Sequence, residues 1–135
     1  MRLRRAHADF LALQRVAHVA TADPRGVPHV VPVCLVVAAG RLYFATGKSG
    51  RKVANLRVNP EVAVSADEYT ETWGRLRGVV VTGAARVHAR NPTFRRIRRR
   101  LYAKYPQYPA EAAIGDRDSV VVEVTPRRVF AWGFD

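Results

Sequence analysis

The chain has a single cysteine, Cys34, so neither an internal disulfide nor an all-cysteine metal site can form. Its place in the apolar run from Val30 to Ala38 reads as a buried, unreactive thiol. No apolar stretch approaches the ~18 residues that a membrane span needs. The basic N-terminal segment is not followed by the apolar core of a signal peptide, and the expected compartment is the cytoplasm. His7, His18, His29 and His88 are scattered, with no pair at i, i+4, and no HExxH, CxxC or paired-carboxylate pattern occurs. Hydrolysis at a protein-held metal therefore lacks its ligands, and no nucleophile constellation stands out. If the chain is an enzyme, a cofactor carries the reaction, and no side chain is singled out as catalytic.

Acidic residues are also scarce: 11 Asp and Glu face 23 Lys and Arg, a net charge of +12. A surface this basic expects an anion: nucleic acid, an anionic membrane, or a phosphorylated or polycarboxylate small molecule. The compositional alternative is a chain rich in Arg, Ala and Val of the kind that GC-rich genomes encode. The 135 residues, 48% of them hydrophobic, make one globular domain, residues 1–135, able to bury a core of its own.

Leu3, Ala6, Phe10 and Leu13 recur at helical spacing and predict an amphipathic helix over 3–14. Val16–Thr21 reads as a strand and Asp23-Pro24-Arg25-Gly26 as a turn. Val27–Val37 is a β-branched run interrupted by Pro28 and Pro32, hence an edge or bulged strand. Arg41–Thr46 is a strand after an Ala39-Gly40 turn. A short helix follows over 52–58, then strands over 61–66 and 76–88, where Gly78 and Gly83 mark a bulge or a close approach. Asn91-Pro92 opens a helix to about Tyr105, with Phe94, Ile97, Leu101 and Tyr105 as its apolar stripe. Ser119–Thr125 and Arg127–Trp132 read as two final strands with a Thr-Pro turn between them. The sum is six or seven strands and three helices without βαβ alternation, a pattern that favours an antiparallel barrel.

Two segments could meet an anion. In Gly47-Lys48-Ser49-Gly50-Arg51-Lys52, glycines free the backbone N–H groups to converge while Arg51 and Lys52 bring charge to a helix start. Walker spacing is absent. The second segment is the basic face of the later helix, Arg95, Arg96, Arg98, Arg99, Arg100 and Lys104. Its aromatics lie on the apolar stripe and are not interleaved with the charges, so a solvated face is expected there and nucleic acid is disfavoured as a partner.

One ordered set of segments resembles a known family: Val16-Ala17-His18-Val19-Ala20-Thr21, Asp23-Pro24-Arg25-Gly26-Val27-Pro28, Val31-Pro32-Val33, Leu42-Tyr43-Phe44-Ala45-Thr46, Gly50-Arg51-Lys52, Asn55-Leu56 and Asn59-Pro60. It is similar to the pyridoxamine 5'-phosphate oxidase-like (FMN-binding split barrel) superfamily. Tyr69-Thr70-Glu71-Thr72-Trp73 followed by Val79–Ala85 resembles its branch of F-420-dependent enzymes. The resemblance implies a mainly β fold with flanking helices, a six-stranded antiparallel split β-barrel acting as a homodimer with cofactor between the subunits. Carried over residue by residue, it puts the cofactor phosphate on Arg51 and Lys52, matches Thr46 and Asn55 beside them, and lays the ring system along Val30, Val31 and Pro32; Lys48 and Ser49 of the same loop are further cofactor-binding candidates. Val31 and Val36 stand where the oxidases carry an Arg and a Lys for the FMN phosphate, which argues against pyridoxamine oxidation. The implied cofactor is the deazaflavin coenzyme F-420, with FMN as the alternative. The implied activity is hydride transfer to an unsaturated organic substrate; the other readings are an FMN-dependent oxidase or reductase and a non-catalytic flavin or haem carrier. F-420 bears a polyglutamate tail, for which Arg41, Lys48 and Arg57 are candidates by their nearness in sequence to the Arg51-Lys52 loop.

Overall fold

A computed structural model describes residues 3–134. In chain order the elements are α1 (Arg5–Leu13), β1 (Ala17–Ala22), β2 (Pro28–Val33), β3 (Val36–Ala38), β4 (Arg41–Gly47), α2 (Arg51–Val58), β5 (Glu61–Glu68), β6 (Arg77–His88), α3 (Pro92–Lys104), α4 (Tyr108–Glu111) and β7 (Ser119–Trp132). All strands pair antiparallel in one seven-stranded sheet, in the order β2-β1-β5-β6-β7-β4-β3.

The sheet has seven strands where the resemblance implies six, and the boundaries of the expected strands change in two places. The run Val27–Val37 breaks at Cys34 and Leu35 into β2 and β3, which lie at opposite edges of the sheet. Conversely, the expected Thr-Pro turn is absent: Ser119–Trp132 is one strand of 14 residues. Pro126 is accommodated by a register shift at Thr82/Gly83, since a bulge tolerates the missing N–H. A Cβ on Gly83 would lie 2.0 Å from the Thr125 carbonyl oxygen, so the bulge requires glycine there.

Cys34 and Leu35 span from one sheet edge to the other, so the sheet curls into a half-barrel whose edge strands approach at this crossing. The inside of the curl is the main core, with Val19, Leu42, Phe44, Val64, Val79, Val81, Val122 and Val124 closed at one end by Phe10 and Leu11 of α1. On the outside, α3 lays Phe94, Ile97 and Leu101, all fully buried, over Val36, Tyr43 and Val121. Three such side chains contribute roughly 5–8 kcal/mol as an upper figure. The like-charged i,i+4 pairs Arg95–Arg99 and Arg96–Arg100 on the exposed face oppose this by only ~0.2–0.5 kcal/mol each. Asn91 caps α3 as expected, its Oδ1 accepting from the Phe94 N–H at 2.8 Å. Cys34 is only half-buried, lining a cavity of about 250 Å³ with Tyr105 and Tyr108, because the crossing at the sheet edges leaves it uncovered by any strand.

A buried polar cluster joins β4, β6, β7 and α3. With its Oδ1 committed to the Phe94 N–H, Asn91 turns its Nδ2 to His88 Nδ1 at 2.9 Å. That ring nitrogen therefore accepts, and His88 Nε2–H donates to Glu123 at 3.0 Å. Tyr43 and Arg41 donate to the other carboxylate oxygen at 2.8 and 3.0 Å. Burial alone would push the Glu123 carboxyl up; the hydrogen bonds from His88, Tyr43 and Arg41 outweigh it and hold the group below its ordinary value. A carboxyl lowered in the folded state adds stability above its unfolded value and loses it as pH falls through the folded one. Glu123→Gln is expected to lower stability by about 2–4 kcal/mol at pH 7. In urea unfolding the gap from the parent protein narrows as pH falls below about 4; a gap independent of pH would remove the ionised carboxylate from this account.

Candidate functional site

The loop after β4 turns tightly, with Gly50 N–H donating to the Gly47 carbonyl at 3.2 Å and Lys48 N–H to the Asp118 carbonyl at 2.9 Å. Helix α2 then starts at Arg51 with Gly50 as N-cap, and no side chain caps its first turn. The N–H groups of that turn are left for an outside acceptor, and the helix dipole adds positive potential there. Arg51 is exposed and Lys52 half-buried. Among the described residues neither forms a salt bridge. Burial pushes the Lys52 amine below its ordinary value, with no carboxylate to offset it. A partly desolvated ammonium and unbonded helix N–H donors are each stabilised by an incoming anion.

Helix α2 is fixed to the sheet by a buried hydrogen bond from Asn55 Nδ2 to Thr21 Oγ1, 3.0 Å. Thr21 on β1 stands opposite His29 on β2, so this bond also sets the cradle relative to β2. Sequence reasoning selected Asn55 but missed Thr21, which is 34 positions away and carries no local signal. The structure brings Thr46, Lys48, Ser49, Arg51, Lys52 and Asn55 together around the β4–α2 turn. It divides the β2 trio: Val30 (63% exposed) and Pro32 face outward, while Val31 packs toward the core. Arg41 is not near the loop. It opens β4, the far end of the strand from Gly47, and is bound to Glu123.

The outward side chains continue as one open sheet face. Val30 pairs with Ala20, Pro32 with His18, Ala20 with Ala63 and His18 with Ser65; farther across, Ser65 pairs with Val80 and Val80 with Phe130. Trp132 lies over Gly78, where a Cβ would come within 2.2 Å of the indole, and stacks at 5.6 Å from Phe130.

Residues 3–133 match the pyridoxamine 5'-phosphate oxidase family. The chain belongs to that family. Among solved structures it resembles the conserved hypothetical protein Rv2991 of Mycobacterium tuberculosis, with 26% identity and TM-score 0.79 over 96% of this chain and 84% of that one. It also resembles an F420 reductase, at 22% identity and TM-score 0.75 over 95% and 98% of the two chains. A third neighbour is HutZ, the haem storage protein of Vibrio cholerae, at 17% identity and TM-score 0.77 over 96% and 94%. No curated protein matches the chain. Among the described residues no helix is long and apolar enough to cross a membrane.

The cradle has a pH signature that sulfate, whose charge is constant across the range, can report. Sulfate held in this cradle would require Lys52 protonated. Because that amine sits below its ordinary value of 10.5, affinity should fall with rising pH before an ordinary lysine would lose its charge. Calorimetry between pH 7 and 10 is expected to show this fall in the parent protein and none in Lys52→Ala, whose affinity is already about tenfold or more lower. A flat profile in the parent protein would take Lys52 out of the cradle.

Proposed function

We propose that this protein is an oxidoreductase that uses coenzyme F-420 to transfer hydride to an unsaturated organic substrate. The observation that carries the reading is the pair Arg51 and Lys52, without acidic partners, at the uncapped start of α2, a helix held by Asn55 to Thr21 of β1, the strand that pairs with the apolar, outward-facing β2. The residues fit a phosphate-bearing ring cofactor. The cradle offers two cations and backbone donors, and Val30 and Pro32 offer an uncharged wall for a flat ring. The valine at 31 is turned inward, so β2 adds no charge for an FMN phosphate, which supports the deazaflavin over FMN. The neighbour named as an F420 reductase supports the same choice.

When bound, the coenzyme supplies the hydride. The chain's part is to bind and orient it: Arg51, Lys52 and the first N–H groups of α2 fix the phosphate end, and Asn55 holds that helix against Thr21. Val30 and Pro32 exclude water from one side of the ring, where orientation yields most of the rate. Lys48 and the exposed Arg57 remain placed to meet the tail; Arg41 does not. We further propose a homodimer. Phe130 (65% exposed), Trp132 and Val30 leave an apolar face that a second copy would cover, and that copy would wall the cofactor groove.

F-420 is expected to bind more tightly than FMN or haem. A long glutamate tail should gain about tenfold over a short one at low salt, an advantage that shrinks as salt screens it. Parallel absorbance and fluorescence titrations check this, and tighter FMN or haem binding would overturn the cofactor assignment. Light scattering at micromolar concentration should give twice the chain mass, and Phe130→Asp should give a monomer. A monomeric parent protein with cofactor bound would remove the second copy from the site.

A further inference from the structure

Between the Val30 and Phe130 ends of the outward sheet face lies a groove whose alanine floor is not among the residues assigned to the cofactor. Its floor is made of small side chains, Ala20 and Ala22 on β1 and Ala63 on β5. The pairing aligns Ala20 with Ala63, Ala63 with Thr82 and Thr82 with Arg128. One row of side chains thus crosses four strands and ends on a guanidinium. Two adjoining cavities of about 330 and 480 Å³ follow this row and share Glu61 and Thr82 in their walls.

The charged end is built by the β7 bulge. Thr82 pairs with Arg128 and Gly83 with Pro126, which leaves Arg127 unmatched and sends two consecutive guanidiniums to one place. Glu61 is the acid in this cavity, and it is bonded to Arg127. Its charge is thereby matched, while Arg128 forms neither a salt bridge nor a side-chain hydrogen bond among the described residues. At the other end of the row Ala20 pairs with Val30, on the strand assigned to the cofactor ring.

We propose that this groove binds an amphiphilic anion, with an apolar body on the alanine floor and a carboxylate on Arg128. Three strand spacings separate β1 from β7, so the body is about 14 Å long. The thin floor leaves room that Val or Leu would fill, and a planar guanidinium matches a carboxylate in two hydrogen bonds. Only in naming this molecule the substrate does the proposal rest on the oxidoreductase reading; its apolar end then lies toward the strand that holds the ring.

The test compares decanoate with decan-1-ol, which share an apolar chain and differ in charge, by amide shifts in ¹⁵N-labelled full-length protein. Decanoate is expected to shift Ala63, Thr82 and Arg128 saturably and to bind about tenfold or more tighter than decan-1-ol. Arg128→Gln should equalise the two ligands, Arg128→Lys should restore part of the difference, and Ala63→Leu should weaken both alike. Equal binding of the two ligands to the parent protein would overturn the proposal, as would absence of saturable shifts in the groove. Shifts confined to Gly50, Arg51 and Lys52 would also overturn it, by moving the carboxylate to the α2 cradle. F-420 titrated into the same samples reports the cofactor reading separately: decanoate bound at Arg128 without F-420 affinity keeps the groove and ends the cofactor assignment.

Discussion

Cys34 and Leu35 join strands that lie at opposite edges of a seven-stranded sheet, and this short crossing holds the sheet curled. The end of α3 fastens it. The Tyr105 hydroxyl accepts from Leu35 N–H at 3.1 Å and donates to the Arg15 carbonyl at 2.9 Å, tying the crossing to the segment before β1. Lys104 Nζ donates to the Leu35 carbonyl at 2.6 Å. That contact keeps the amine partly out of water, and burial, with Arg15 nearby, pushes it down to about 8. Backbone groups at a strand crossing have no ladder to enter, so side chains must satisfy them. Everything that faces outward follows: which side of β2 is open, and where α2 meets β1.

The distribution of acids explains why so basic a chain has distinct electropositive places. Glu123 is spent inside, Glu68 on Arg77, Glu61 on Arg127 and Asp116 on Arg98. None of these reaches the start of α2. Among the described residues the basic face of α3 also has no ion pair at Arg95, Arg96, Arg99 and Arg100, but there the charge is spread over exposed side chains that water and salt screen. At α2 a half-buried lysine and an exposed arginine occupy the first two positions of a helix that no side chain caps. Position at a helix start and partial desolvation, more than the total charge, are what the proposed anion site rests on.

Much of this was legible in the residues. The stripe Phe94-Ile97-Leu101-Tyr105 lies buried as its spacing requires, and Asn91 with Pro92 starts the helix. Pro28 and Pro32 put β2 at an edge, since neither has an N–H to donate to a ladder. Gly78 and Gly83 mark a close approach and a bulge, as expected. The strand boundaries failed where a local rule met a non-local requirement: Pro126 ends no strand because β7 bulges at Arg127, opposite Thr82 and Gly83, and the valine run of 27–37 is one strand by composition but two by the need to cross between sheet edges.

Sequence alone therefore determined the local chemistry: a basic glycine-flanked turn before a helix, an apolar proline-bearing strand, and a chain short of acids, without metal-ligand spacings. These depend on neighbours within a few positions, where propensity and periodicity act. Only the tertiary structure decided which of these face one another. It placed Thr21 against Asn55, turned Val31 inward and Val30 outward, carried Arg41 away from the cradle to Glu123, and aligned three alanines with Arg128 across four strands. Those outcomes depend on strand register, in which a shift by one residue turns every side chain to the other face, and register is set by contacts among residues far apart in the chain.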